Sequence, residues 1–366
     1  MRRTGVVLLL SLAGCQLLGF QEDGLRRVTL TDTTDNSGSV TFDVDVTEGE
    51  SSLLLTAEAS GPSYVVFYRL VSPEGDTVID AESLWLTDYS MTGGVFPGSV
   101  VSLNWPILSN DAALTEGRWE VTLRTTNAQY YYEPGVSVDF EALFKQDDVF
   151  SEGAIDVNII YAGGIDQDPD FVAATEAAVE YWQEMYGDVR IVPRFSYQTY
   201  SDGDLPPPGE GAANAYTAIS DSTPLRSVNV VIVPSISGYE GQGLYGISGG
   251  IPGPLTAGPT SAVAVDALTN AGPDMQFSEE ELRIYGETLA HEVGHFLGIF
   301  HPVEADFTYY DAVADTDQCS GRTQCESALG NNLMFPYPVC DWSSCVPQNE
   351  LTGGQSGVAQ RYVGME

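Results

Sequence analysis

Three histidines occur in this 366-residue chain, and all of them fall within one short string, His291-Glu292-Val293-Gly294-His295-Phe296-Leu297-Gly298-Ile299-Phe300-His301. Side chains four apart lie one above the other on a helix face, so His291 and His295 can offer two imidazoles to one ion. Glu292 is one residue along, within reach of a water on that ion. Gly298 can take the left-handed conformation that ends a helix and turns the chain sharply, which brings His301 back as a third ligand. Nitrogen ligands at about 2.0–2.1 Å suit zinc, and three protein ligands leave a fourth position for water, the mark of a catalytic rather than a closed structural site. A lone histidine is usually a satisfied core or surface residue. Here every histidine in the chain stands in register with a Glu and a Gly at the required places, which accident explains poorly.

The residues around the string read as a helix set into a mixed sheet. Ser278 with Glu281 supplies a capping box, and Glu279 to Glu281 place acidic charge in the first turn. Leu282, Ile284, Leu289, Val293, Phe296 and Leu297 make the apolar stripe. Upstream, residues 154–161 read as a strand, and Asp168-Pro169 opens a helix to about Tyr186. Residues 189–197 read as a second strand, and the Pro/Gly stretch from Asp202 to Gly211 as a surface loop. Residues 227–234 are a near-continuous apolar run, as in a strand buried on both faces. Residues 245–254 are Gly-rich, an irregular edge strand, and 261–268 are a further strand. No internal repeat is present.

Residues 28–145 have a different character. Val40 to Val46 alternates apolar and polar with period two, and short strands at 52–57, 64–71, 100–103 and 119–125 are separated by turn signals. A β-sandwich, jelly-roll-like, is the natural closure, with Lys145-Gln146-Asp147-Asp148 opening a linker to the second domain at 154–366. The fold class expected is therefore α+β. Fourteen basic against 52 acidic residues give a formal charge of −38, which repels phosphate backbones and excludes nucleic acid as a partner. The charge suits a protein outside the cytosol, one that could hold calcium on its carboxylates, although solubility alone accounts for it as well.

The N-terminus begins Met1-Arg2-Arg3, runs apolar from Gly5 to Gly14 and reaches Cys15. A charged start, a short apolar stretch and small residues before a cut describe a signal peptide, too short for the about 20 residues of a spanning helix. Leu12-Ala13-Gly14-Cys15 resembles a bacterial lipobox, which implies a lipid-anchored Cys15 after removal of 1–15, a polar tether over 16–27, and a place in the cell envelope, at the outer membrane or cell surface. The alternative is ordinary secretion with an incidental cysteine. The remaining cysteines, Cys319, Cys325, Cys340 and Cys345, read as two disulfides among three possible pairings, with a zinc–thiolate site as the rival of unsuitable spacing.

The extended histidine string resembles the metzincin metallopeptidases, whose signature continues into a Met-turn. Asn331-Asn332-Leu333-Met334-Phe335-Pro336 matches it, and the resemblance implies that Met334 packs beneath the zinc-binding imidazoles. By itself Met334 reads as one core methionine among six. Asp311 to Asp317, the Asn-Asn-Leu-Met run and Leu351-Thr352-Gly353-Gly354-Gln355 resemble the pappalysin-like (cytophagalysin) branch. The resemblance covers about 154–366. Some metzincins carry a tyrosine two residues after the methionine. Here Pro336 stands there, so Tyr337 is given no catalytic role. The branch often has Asp-Thr-Pro where this chain has Asp315-Thr316-Asp317, which leaves calcium at Asp311, Asp315 and Asp317 an option beside solvated loop charge.

The function expected is hydrolysis of peptide bonds in extracellular or cell-surface proteins by a monomeric zinc endopeptidase, with His291, His295 and His301 on the metal and Glu292 as general base. The resemblance further implies an extended substrate along the edge strand near 245–251. The alternatives are a non-catalytic surface lipoprotein that binds protein or glycan through its β-domain, and a zinc amidase acting on cell-wall peptides. No cysteine lies between Cys15 and Cys319, so a thiolate latch from 16–318 is impossible. The β-domain is either an accessory module or a pro-domain held by other chemistry.

Overall fold

The computed structural model describes residues 21–22, 25–82, 90–91, 96–209, 213–224, 226–239, 243–341 and 344–366. The expected leader and Cys15 lie outside these residues, as does part of the tether. Among the described residues no helix is long and apolar enough to cross a membrane.

The N-terminal half is built from two antiparallel sheets. One has the order β1 (Gln21–Glu22), β2 (Leu25–Thr33), β10 (Ser137–Lys145), β4 (Ser52–Ala59), β8 (Val100–Trp105). The other has the order β3 (Ser39–Val46), β9 (Gly117–Thr126), β5 (Tyr64–Val71), β6 (Thr77–Asp80). Period-two alternation decides which face is inside: Val40, Phe42, Val44 and Val46 are buried, whereas Thr41 and Asp43 between them are exposed. Phe42 stacks on Phe140 at 4.7 Å and so joins the two sheets across one core. A two-residue strand β7 (Ser90–Met91) leaves this half to pair with β16 (Tyr310–Asp311).

Lys145 belongs to this half more firmly than a linker residue would. It is the last residue of β10, fully buried, with its Nζ 3.1 Å from Asp147 and 5.6 Å from the Phe150 ring centre.

In the C-terminal half, β12 (Ile191–Tyr200), β11 (Gly153–Ala162), β13 (Val228–Val233) and β15 (Val263–Asp266) run parallel in that order. β14 (Gly246–Ser248) is added antiparallel at the edge. Every residue of β13 is buried, as a central strand covered on both faces requires. Helix α1 (Pro169–Asp188) starts at Asp168, whose side chain accepts from Asp170 N, with Pro169 at the first helical position. It packs against α4 (Glu279–Phe296), and Tyr186 Oη donates to the Ala290 carbonyl at 2.9 Å. The other sheet face is covered by α2 (Ala213–Asp221) and by the stretch expected as a surface loop. That stretch is anchored instead: Leu205 is buried, Ser237 N donates to its carbonyl at 2.9 Å, and Tyr216 Oη donates to Pro206 O at 2.9 Å. Composition marked its turns but could not show the apolar face waiting beneath it. Short helices α3 (Ala267–Ala271), α5 (Arg322–Leu329) and α6 (Gly353–Arg361) complete this half.

The halves are packed together. Leu25, Leu54 and Leu143 of the sandwich join the core of the mixed sheet. Asn104 Nδ2 donates to Arg361 O at 3.0 Å, and Val363 N donates back to Asn104 Oδ1 at 3.1 Å.

Candidate metal centre

The histidines are positioned by how α4 begins and ends. Ser278 and Glu281 exchange their cap bonds, Glu281 N to Ser278 Oγ at 3.3 Å and Ser278 N to Glu281 Oε2 at 2.8 Å, an arrangement that stabilises a helix start by about 1 kcal/mol. Tyr285, Leu289, Val293 and Phe296 are buried against the sheet and α1, which fixes the rotation of the helix and turns His291 and His295 to one side. After Phe296 the chain reverses. Gly298 has φ +100°, Gly298 N donates to His295 O at 2.8 Å, and Ile299 N donates to Gly294 O at 3.0 Å. That reversal returns His301 to the helix. His301 Nε2 is 3.3 Å from His291 Nε2 and 3.0 Å from His295 Nε2.

Each imidazole has its other nitrogen committed. His291 Nδ1 donates to Leu333 O at 2.7 Å, His295 Nδ1 donates to Ile299 O at 2.7 Å, and His301 Nδ1 donates to Glu304 Oε2 at 2.8 Å. The two carbonyls can only accept, so the proton of His291 and of His295 sits on Nδ1 and their Nε2 lone pairs are bare. Three such lone pairs face one point. Neutral imidazoles do not crowd this way for their own stability. Converging Nε2 atoms with Nδ1–H held by backbone or carboxylate is the donor set that metal-ligating histidines use. Burial acts in the same direction, pushing His291 down to about 3 and His295 well below the ordinary histidine range, with His301 opposite each adding to the effect. The site fits a zinc ion. Among the described residues this is the only group of three or more His, Cys, Asp or Glu whose ligand atoms lie close enough to share one ion.

Glu292 is buried beside the trio, and burial pushes its carboxyl up to about 8, opposed by the Ser248 amide that donates to it. A divalent charge nearby would work in the opposite direction, favouring the carboxylate. The edge strand supplies this contact through its alternation: Gly249 N turns inward to Ala262 O at 2.9 Å, and the neighbouring Ser248 amide turns outward to Glu292. Close approach also explains Gly246, where a Cβ would lie 2.7 Å from Glu292 Cγ and 3.2 Å from Thr288 Cγ2.

Met334 is fully buried under the helix. Gly294 is where the two meet: a Cβ there would lie 2.6 Å from Met334 Sδ. The preceding residue gives His291 its acceptor, so the turn both floors and orients the site. The turn is itself held from behind. Asn332 Oδ1 accepts from Met334 N at 2.9 Å, and Asn332 Nδ2 donates to Gln355 Oε1 at 2.8 Å. Gln355 also closes the capping box of α6 with Thr352.

The remaining candidates are placed elsewhere. Cys319 bonds Cys325 and Cys340 bonds Cys345. These are local pairings, one of the three the count allows, and they leave those thiols no part in a metal site. Tyr337 Oη is 3.3 Å from Glu326 Oε1, on the flank of the cleft. Asp311 Oδ1 accepts from Thr316 Oγ1 and from Val313 N at 3.2 Å. Asp315 accepts from Thr352 Oγ1 at 2.8 Å and Gly354 N at 2.9 Å, and Asp317 is exposed. These three carboxylates do not converge as the histidines do.

Sequence reading did not single out Glu304. It lies three residues past His301, at a spacing no motif of that reading used, and only the folded loop turns its carboxylate onto Nδ1. The Glu304→Ala variant is expected to bind zinc about 10–100 times more weakly than the parent, measured by competition with a chelating dye. Unchanged affinity would show that His301 needs no partner.

No family model matches this chain. Among curated proteins, the "Extracellular metalloprotease" of Arthroderma otae (strain ATCC MYA-4605 / CBS 113480) is 26% identical over 243 residues, 63% of this chain and 86% of that protein. The protein of the same description from Trichophyton verrucosum (strain HKI 0517) is 25% identical over 214 residues, 56% of this chain and 75% of its own. Distant likenesses among solved structures include metalloproteinase-II from Bacteroides fragilis, at 14% identity and TM-score 0.28 over 43% of this chain and 47% of that one. Another is archaemetzincin from Methanopyrus kandleri, at 12% identity and TM-score 0.27 over 57% and 88%.

Proposed function

We propose that the protein is an exported zinc-dependent endopeptidase, a metzincin of the pappalysin-like branch, tethered to the cell envelope through a lipid on Cys15. One observation carries the reading: three bare Nε2 atoms converge, each from a ring locked at its other nitrogen, beside a buried carboxylate on the same helix. The extracellular metalloproteases similar in sequence support it independently of that geometry.

His291, His295 and His301 would hold the zinc. When bound, the metal supplies a Lewis acid that polarises the scissile carbonyl and acidifies a water. Glu292 accepts the proton of the attacking water on a carboxylate oxygen and returns it to the departing amine. Glu292 lines the cleft, and the Ser248 amide favours its carboxylate form against the effect of burial. A cleft of about 690 Å³ opens beside these groups, walled by Leu244, Ile284, Leu333, Phe335 and Tyr337, and has room for one large substrate side chain. A substrate strand would pair with the outward edge of β14, which among the described residues faces no other strand.

The test is digestion of a proteome-derived peptide library with parallel metal analysis. About one zinc per chain and cleavage that stops with 1,10-phenanthroline are expected. A zinc-loaded protein that cuts no peptide would end the endopeptidase assignment.

A further inference from the structure

The edge strand β14 has a cleft at each end. One is the cavity beside His291 and Glu292, bordered by Gly243 to Gly246. The other, of about 650 Å³, begins past Ser248, between the rim at Gly249–Pro254 and strand β8 of the sandwich. Ile251 and Phe300 form its near wall, Val100, Val101 and Phe96 its far wall, and Phe300 is the chain neighbour of His301. Among the described residues β8 is the last strand of its sheet, and its outer edge pairs with no strand. The end of β8 is pinned to the second half where Asn104 bonds to Arg361 O, whereas its beginning, Val100 to Ser102, lines the cleft. Two sheet edges therefore flank one groove that leads away from the histidines.

Among the described residues the lining is uncharged, in a chain of net charge −38. A face meant only for water on such a protein would carry carboxylates. Gly98, Gly249 and Gly250 add no side chain to the walls, so apolar side chains such as Val100, Ile251 and Phe300 dominate the lining, which suits an extended polypeptide with an apolar residue.

We propose that the β-sandwich forms the far wall of the substrate groove. It holds an apolar side chain of the substrate between Val100 and Phe96 on one side and Ile251 and Phe300 on the other. The inference rests on the endopeptidase reading and extends it. At about 3.3 Å per residue, β14 sets this second subsite about three to four residues from the side chain in the first cleft. The substrate class is then an extended segment with apolar residues at that separation. The sandwich acts in the mature enzyme and is not removed as a pro-domain.

Two fluorogenic peptides decide the matter: a tetrapeptide reaching only the cleft beside Glu292, and a dodecapeptide with leucine or phenylalanine at the distal position. Val100→Trp fills the groove, and Phe96→Ser strips an apolar side chain that is 44% exposed and so cannot upset the core. Each variant is expected to lower kcat/KM for the dodecapeptide about tenfold, mainly through KM. Turnover of the tetrapeptide should stay within about twofold, which also shows that the variants are folded. Equal losses for both peptides, or no loss for either, overturn the proposal. If the parent protein shows no chelator-sensitive cleavage of either peptide, the endopeptidase reading fails first and the groove proposal falls with it.

Discussion

The Glu292→Gln variant is expected to bind zinc as tightly as the parent and to hydrolyse peptides about 10²–10⁴ times more slowly, the contribution of a positioned general base. Glutamine has nearly the same shape, and its amide oxygen can keep the bond from Ser248 N–H. What it lacks is a lone pair basic enough to take the proton of the attacking water. The loss should therefore appear in kcat with little change in KM, because the carboxylate holds no part of the substrate in the ground state. Metal analysis and the unfolding midpoint, measured on the same sample, should match the parent. Turnover within about threefold of the parent would show that another group moves the proton, and Glu292 would revert to a buried acid of no mechanistic consequence.

Removing His301 should act on the metal and not on the fold. His301 is the one ligand outside α4, half-buried, with its second nitrogen bonded to a partly exposed carboxylate. The His301→Ala variant should therefore keep its core. Apparent zinc binding of roughly 10–16 kcal/mol over about four ligands implies roughly 2.5–4 kcal/mol per imidazole, hence a loss in affinity of about 10²–10³-fold. An ion that binds only the folded chain raises its stability by mass action. The parent should thus melt at a higher temperature with zinc than with a chelator, and the variant should show almost no such difference at the same free zinc. Glu304→Ala should fall between the two. A variant that still melts higher with zinc, by as much as the parent, would place the ion elsewhere.

Several parts of the site were legible in the sequence because they are local. The rise of a helix puts residues four apart on one face, so His291 and His295 declare themselves, and Ser278 with Glu281 declares the helix start. The period-two pattern of β3 and the unbroken apolar run of β13 are readings of the same kind, since burial on one face or on both leaves a different periodicity. Gly298 marks a helix end by a backbone requirement that its neighbours cannot meet. The count of cysteines gave two bridges but no pairing, and Lys145, read as opening a linker, proved to be a buried end of a strand.

The groups that hold the imidazoles and Glu292 in place had no such signature. The carbonyls of Leu333 and Ile299 belong to the backbone, which every residue possesses, and nothing in a side chain announces where a carbonyl will point. Glu304 is one of 52 acidic residues, distinguished only by the loop that turns it. The Ser248 amide reaches Glu292 across 44 residues because β14 adds to the sheet antiparallel. The cleft between β8 and Gly249–Pro254 is walled by segments from both halves that lie far apart in sequence, so no local pattern announces it. Spacing along the chain therefore determined which atoms could bind a metal and which carboxylate stands next to them. The tertiary structure alone decided that the three rings face inward with their lone pairs free, because their orientation is set by hydrogen bonds whose partners are distant in sequence or borne by the main chain.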